Sequence, residues 1–227
     1  VGFSVSINIG ALINGGWVWS NTYYPAFPNF GDLVLTRPLV GMWRFDGNAG
    51  DSSGYGNHGS RFGGVGYVPG NFGQALRFDG IDDYVNVADN DTLDITNSLT
   101  LEAWVKLDGF TNPRGMVVAK SSLGNLSYAL YVTGNVTVPG PTYPFRKVGI
   151  NVSGNGAAPM ILYSNIQLEL DTWYHIAGTY EYLGGGVSAM RIFVIDVLDS
   201  SSVYSVGPIF SGSANLTIGS KGDSLGG

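Results

Sequence analysis

Two histidines, three glutamates and a scatter of aspartates are the side chains best suited to move protons or hold a metal, because the chain contains no cysteine. Acid/base work needs carboxylates presented together, and strand residues share a face only when they are two apart. Glu102, Glu169 and Glu181 each lack an acidic neighbour at that spacing on a strand, since Asp171, two residues after Glu169, lies outside the expected strands. Asp82 and Asp83 are consecutive, so on a regular strand they would point to opposite faces. His58 lies in a Gly/Asn loop and His175 in a β-type run, with no H-x-H or H-E-x-x-H pattern to suggest zinc, so both read as hydrogen-bonded structural residues. The glycine-rich runs "GNAGDSSGYG" and "GVGYVPGNFG" do not lead into a helix, which removes the usual phosphate cradle. No catalytic residues are assigned, and the chain is read as a non-enzyme.

The elements that must position these groups are strands. Thirty-five glycines, 13% aromatic residues and short β-branched runs between Gly, Pro, Asn and Asp turns describe an antiparallel β-sandwich of jelly-roll type, with almost no helix signal. Strands are expected over 40–45, 74–78, 84–87, 99–107, 116–120, 128–133, 147–152, 160–164, 173–180, 190–197 and 215–218. "LTLEAWVKL" is the clearest: Leu99, Leu101, Ala103, Val105 and Leu107 alternate with Thr100, Glu102, Trp104 and Lys106, giving a core face and a face towards solvent or a cleft. "DTWYHIAGTY" likewise puts Trp173 and His175 on one face and Tyr174 and Ile176 on the other.

Composition narrows the function. Charged residues make up 12% of the chain and the formal net charge is −6, a poor match for the basic patch that nucleic acid requires. No apolar run reaches the roughly 18 residues of a membrane span. The chain begins with Val and without a charged leader, and is read as a mature or trimmed protein. Asn-X-Ser/Thr sequons at Asn90, Asn125, Asn135, Asn151 and Asn215 point to an extracellular or cell-surface glycoprotein.

The opening residues are the least ordinary. In "VGFSVSINIGALI", Val1, Phe3, Val5, Ile7 and Ile9 alternate with Gly, Ser and Asn as in a half-buried strand, yet no hairpin partner follows. An aromatic, proline-punctuated run comes next, and the first charged side chain is Asp32. Residues 1–36 read as an uncharged arm and 37–227 as the body, the boundary falling near Thr36–Pro38. An apolar patch rich in Trp17, Trp19, Tyr23, Tyr24 and Phe27 reads as an interface.

From Gly41 onwards the sequence resembles the laminin-G-like, concanavalin-A-like jelly-roll family. The resemblance rests on "GMWRFDGNAGDSSGYGNHGS", "GYVPGNFGQALRFDGIDDYVNVADNDTLDI", "SLTLEAWVKL", "YALYV", "DTWYHIAGTY", "MRIFVIDV" and "ANLTIGS". It implies an extracellular binding or adhesive domain. Where such folds are catalytic they resemble glycoside hydrolases with two carboxylates on an E-x-D-x-E strand, which is not found here. The resemblance also implies Ca²⁺, with Asp46 and Asp51 in "FDGNAGDSSG" and Asp82 and Asp83 in "GIDDY" as metal ligands by motif match, against a background in which Asp beside Gly is ordinary turn chemistry. Trp104, Trp173, Tyr174 and Tyr180 are the aromatic residues available as sugar platforms.

One departure from the family is informative. After "LTIGS" the family continues into a closing strand, whereas this sequence runs to "KGDSLGG". The residues Val1–Ile13 are therefore expected to supply the missing strand. Burying five such side chains is worth on the order of 10 kcal/mol before ordering costs. Inserted into the next subunit, with Val1, Phe3, Val5, Ile7, Ile9, Leu12, Trp17 and Trp19 at the subunit interface, the strand would build a head-to-tail filament or pilus of copies of this chain by donor-strand complementation. Folded back, it would complete its own domain. The alternative function is a carbohydrate-binding, lectin-like module for surface glycans, shaped by calcium.

Overall fold

A computed structural model describes residues 3–10 as backbone, and 39–109, 114–122, 124–134 and 145–220 in full. Its strands are β1 (Phe3–Gly10), β2 (Gly41–Trp43), β3 (Gly59–Phe62), β4 (Gly66–Pro69), β5 (Gln74–Phe78), β6 (Tyr84–Val87), β7 (Ser98–Leu107) and β8 (Arg114–Ser122). They continue with β9 (Asn125–Thr133), β10 (Val148–Ser153), β11 (Pro159–Tyr163), β12 (Trp173–Gly184), β13 (Val187–Val194), β14 (Val197–Tyr204) and β15 (Leu216–Ile218). Among the described residues one 3₁₀ turn, Asp91–Leu93, is capped by the Asn90 side chain, which accepts from the Thr92 amide. Among the described residues no helix is long and apolar enough to cross a membrane.

The strands form two antiparallel sheets. The first runs β14-β13-β12-β7-β1-β5-β4, with β2 also paired to β1; the second runs β11-β10-β9-β8-β15-β6-β3. The expected alternation sets the packing: Leu99, Leu101, Ala103, Val105 and Leu107 of β7 are buried, facing Tyr128, Leu130 and Val132 of β9 and Val148, Ile150 and Val152 of β10 in one core. The fold is the β-sandwich jelly roll read from the sequence.

The first strand lies inside its own sheet. Along its whole length β1 pairs with β7, from Phe3 opposite Leu107 to Gly10 opposite Thr100. On its other side it pairs with β5 through Phe3–Val5 and with β2 through Ile7–Ile9. Phe3, Val5, Ile7 and Ile9 thus stand in register with the core positions Leu107, Val105, Ala103 and Leu101. In the single chain the strand folds back, and its pairing with a neighbouring subunit, the other expectation, is not what this arrangement contains. A strand here satisfies backbone donors and acceptors that β7, β5 and β2 would otherwise expose.

Several elements differ from the expected boundaries. β3 and β4 were hidden by glycine-rich sequence that reads as loop. A strand expected to run on through 190–197 stops at Val194, because Ile195 and Asp196 both take positive φ, 50° and 62°, and turn the chain into β14. Two positive-φ residues match the twist of a tight hairpin, but Asn and Gly are the usual choices and a β-branched Ile is costly there.

Buried polar contacts close the sandwich at one end. The Lys120 side chain is fully buried, yet its ammonium reaches Asp89, Asp94 at 3.2 Å and the Ala214 carbonyl at 2.8 Å. Hydrogen bonds to Asp89 and the Ala214 carbonyl, with the Asp94 carboxylate as a nearby counter-charge, tie β8 to the 3₁₀ segment and the approach to β15. Tyr128 donates to the Leu93 carbonyl at 2.9 Å in the same region, and Trp43 Nε1 donates to the Asn57 carbonyl at 2.9 Å.

Candidate functional site

The outward faces of the two sheets carry different chemistry. On the first sheet, β7 and β12 pair so that His175 stands beside Trp104 and Ala177 beside Glu102. The hairpin turn between β13 and β14 brings Asp196 over them. His175 Nδ1 donates to Asp196 at 2.9 Å, its Nε2 lies 3.9 Å from the Glu102 carboxylate, and its ring sits 5.5 Å from that of Trp104. Phe72 packs edge-on against the far side of Trp104 at 5.6 Å. The Ile195 amide donates to the His175 carbonyl at 2.8 Å, so the strained turn is held where Asp196 meets the ring.

Electrostatics follow from this enclosure. Burial, then the charge of Asp196, pushes the Glu102 carboxyl up to about 7. Burial lowers the pKa of His175, an effect opposed by the Asp196 charge and hydrogen bond. Raised carboxyls are useful acids, but the Glu102 side chain is only 13% exposed and that of His175 only 4%. A glycosidic oxygen must reach its acid, and this pair is closed to a saccharide chain. The cluster reads as an internal brace between β7, β12 and the β13–β14 turn. Glu169 and Glu181 are engaged elsewhere, with Arg146 at 3.4 Å and Arg191 at 3.2 Å.

The second sheet presents a groove. Met116, Tyr131, Gly149 and Tyr163 lie in one register row across β8, β9, β10 and β11. Gly149 matters because a Cβ there would stand 2.5 Å from Tyr131 Cζ; without one, the tyrosine ring lies over the β10 backbone. Tyr131 then donates to Asn151 Oδ1 at 2.8 Å, meets Tyr163 edge-on and supports the Arg114 guanidinium 5.0 Å above its face. Small residues at Ala119 and Ala129 leave the floor low. Beside this row, between the β8–β9 and β10–β11 turns, a pocket of about 190 Å³ is lined by Arg114, Met116, Asn125, Ala129, Asn151 and Ala157 among others. Arg114 is the charged residue among its described lining.

The predicted metal residues divide. Asp82 and Asp83 come together with Asp79, which the sequence reading did not include; one carboxylate oxygen of each lies within 4.8 Å of the others. Opposite-face alternation does not apply to them, because they sit in the β5–β6 turn and not on a strand. Asp83 accepts from the Gly64 amide at 2.5 Å and the Asp79 amide at 2.9 Å, and Asp79 accepts from Ile81 at 2.8 Å. Three hard carboxylates suit Ca²⁺, with Asp82 exposed and two already orienting the turn. Asp46 and Asp51 do not join them. Asp51 accepts from the Met42, Ser53 and Asn57 amides and the Ser53 hydroxyl, and these contacts lower its pKa against the opposing effect of burial, while Asp46 accepts from Gln74. Both are loop-holding residues. His58 has such a role too, accepting from the Asp51 amide at 3.1 Å.

Other expected site residues are sorted by burial. Tyr174 and Tyr180 belong to the core and offer no sugar platform, while Trp173 lies beneath the Lys106 ammonium at 5.6 Å. Of the sequons, Asn90, Asn125 and Asn215 are exposed, whereas Asn151 is 3% exposed and bonded to Tyr131. Asn135 lies outside the described residues, as do Val1, Leu12, Trp17 and Trp19. Phe3, Val5, Ile7 and Ile9 are placed by backbone register alone. The groove around Arg114 was missed entirely, since its residues come from four strands and only their register unites them.

A laminin-G family model described as the concanavalin A-like lectin/glucanases superfamily matches residues 79–226. No curated protein matches the chain.

Proposed function

The chain belongs to the concanavalin A-like lectin/glucanases superfamily, and from that membership we propose a non-catalytic, extracellular structural or adhesive protein that assembles on the cell surface by exchanging its first strand between copies. The observation that carries this reading is the place of β1: a strand separated in sequence from all of its partners occupies an interior position of a sheet, between β7 and β5. Residues 11–40 separate it from β2. Fully extended, such a segment reaches on the order of 90 Å, several times the roughly 27 Å length of β1 itself. The backbone pairs β1 makes at home are equally available to the β1 of a neighbour, and a contact made that way is heterologous and propagates into a filament.

A covalent test follows from the register. Ser4 stands opposite Lys106, and the chain has no native cysteine, so a Ser4→Cys, Lys106→Cys variant carries one reporter pair at a spacing suited to a disulfide. Oxidation of native assemblies should give a ladder of covalent oligomers, and deletion of residues 1–13 should abolish assembly. Crosslinked monomer alone, with the shortened protein assembling or remaining monomeric as the full chain does, would overturn strand exchange.

A second reading, a lectin-like carbohydrate-binding module, is favoured by the groove on the second sheet. In it, Ca²⁺ held by Asp79, Asp82 and Asp83 would stiffen the β5–β6 turn. Glycans at the exposed Asn90, Asn125 and Asn215 would be consistent with a surface location under either reading.

A further inference from the structure

We propose that Lys120 and Asp89 condense to an intramolecular isopeptide bond, with Asp94 carrying the proton. Lys120 is fully buried on the inward face of β8, in register with Leu216 of β15 on one side and Tyr128 of β9 on the other, both of them core residues. An aliphatic side chain would complete that row, and a buried ion pair is seldom more stable than a well-packed apolar residue in its place. A primary amine held against a carboxyl can do something an aliphatic chain cannot, which is to react with it. Lys120 Nζ is hydrogen-bonded to Asp89 Oδ1 and donates to the Ala214 carbonyl at 2.8 Å. Asp94 Oδ1 lies 3.2 Å from the same nitrogen, is buried, and has no hydrogen-bond partner among the described residues.

Backbone contacts fix the two carboxylates. The Asp89 amide donates to Asn215 Oδ1 at 3.0 Å, and the Asp94 amide donates to the Asp91 carbonyl at 3.1 Å. Tyr128 donates to the Leu93 carbonyl at 2.9 Å and so holds the residue just before Asp94. Groups kept in contact this way react as if at a concentration no solution reaches.

The step balances within the three side chains. Asp94 accepts one proton from the ammonium and passes it to the Asp89 carboxylate, which leaves a neutral amine beside a neutral acid. The Nζ lone pair then forms the bond to Asp89 Cγ. The C–O bond breaks, its electron pair leaves with the hydroxyl, and a second proton from Nζ completes one water. Asp94 is regenerated, and the remaining N–H keeps the Ala214 carbonyl as its acceptor. A neutral amide replaces two charges at a buried position, and burial favours that product. The Asp89 and Asp94 side chains are partly exposed, which gives the water a way out. The bond joins positions 31 residues apart in sequence. It links β8 to the segment after β6, the two strands that flank β15, and so staples the second sheet across its short central strand.

The test is the mass of the full chain, made in a host without N-glycosylation because the sequons at Asn90, Asn125 and Asn135 fall in the peptides to be read. Folded protein sprayed under denaturing conditions should weigh about 18 Da less than its sequence, the loss of one water. Trypsin does not cut after a lysine bound in an amide, so digestion should yield one branched peptide, residues 78–106 joined to residues 115–146, with fragmentation placing the joint at Asp89. Lys120→Arg keeps a cation without the reactive amine and should show the full sequence mass. Asp94→Asn should lower the crosslinked fraction at a fixed time after synthesis at least tenfold. A parent chain at full sequence mass, a lost water that maps to an aspartyl succinimide with Lys120 still open to trypsin, or a joint at Asp94 would overturn the proposal, and none of these readings requires a variant to fold. A bond that forms as fast in Asp94→Asn would overturn the role of Asp94. Strand exchange and sugar binding stand or fall separately from every one of these outcomes.

Discussion

Replacing Glu102 by Gln should stabilise the domain above neutral pH and leave it unchanged in acid. Burial and the Asp196 charge raise the Glu102 carboxyl from the 4.5 of a free glutamate to about 7. Between those values the unfolded chain has already lost a proton that the folded protein keeps, so stability falls as pH rises from about 4.5 to about 7 and then levels off. At roughly 1.4 kcal/mol per pH unit, the ionised carboxylate costs the folded state about 3 kcal/mol at pH 8 as an upper bound. Glutamine has nearly the same shape and no charge to bury. Allowing for imperfect hydrogen bonds to the new amide, the gain is roughly 1–3 kcal/mol, which in a domain of this size raises Tm by roughly 3–10 °C.

His175 contributes with the opposite sign. Its lowered pKa means that the ring is neutral in the fold, and the associated stability is lost as pH falls below 6.5 while the unfolded chain protonates. Because the ring lies 3.9 Å from the Glu102 carboxylate, the substitution also alters this contribution, so the effect of Glu102 is read above pH 7, where His175 is neutral in both the folded and unfolded chains. Thermal melts of the two at half-unit steps from pH 4.5 to 8.5 would read it directly. A difference that does not grow with pH, or a Gln variant less stable than the parent at pH 8, would refute the assignment of Glu102 as a buried and largely unpaired acid.

Two further substitutions probe the frame. Lys120→Met keeps much of the buried volume but removes the ammonium between Asp89, Asp94 and the Ala214 carbonyl; chemical denaturation should show a loss of roughly 2–4 kcal/mol, and a loss below 0.5 kcal/mol would mean that the ion pairs hold nothing together. Gly149→Ala puts a methyl 2.5 Å from Tyr131 Cζ and must displace the ring, so a destabilisation of about 1–3 kcal/mol should accompany a changed near-ultraviolet tyrosine signal; an unaltered spectrum would contradict the stacking of Tyr131 over the β10 backbone.

What the sequence made legible was whatever depends on alternation within one strand. β7 was read with its buried face correct, and β12 with Trp173 and His175 on the face opposite Tyr174 and Ile176, because half-buried strands repeat every two residues. Pairing between distant strands leaves no such trace. Glu102 and His175 each sat on an outward face, but nothing in either run told that β7 and β12 are neighbours, or that Asp196 turns back onto the ring. The Ile195–Asp196 turn was hidden because a β-branched Ile disfavours positive φ and a lone Asp within an apolar run is a weak turn signal, and β14 because three consecutive serines interrupt its alternation. Asp79 was overlooked for a different reason: the metal candidates came from the match to "GIDDY", which begins one residue later, and nothing in the run shows the turn folding Asp83 back onto Asp79.

The place of β1 and the place of the groove bear on each other. β1 lies in the first sheet, and the Arg114 pocket opens on the outward face of the second, with the shared core between them. A strand accepted from a neighbour in the β1 position would therefore leave the pocket open, and assembly and ligand binding need not compete. If strand exchange and the lectin-like reading both hold, a filament presents one pocket per subunit along its length. Single-ring sites bind weakly, and a repeating array turns weak sites into firm attachment to a surface that also repeats its sugar, often by a factor of about 10² or more. The dependence is testable: the affinity of one pocket for a sugar found on a glycan array should be the same in monomer and filament, whereas retention on a surface coated with that sugar should rise steeply with assembly and collapse in the variant lacking residues 1–13. Retention that does not depend on assembly would show that the two features act independently.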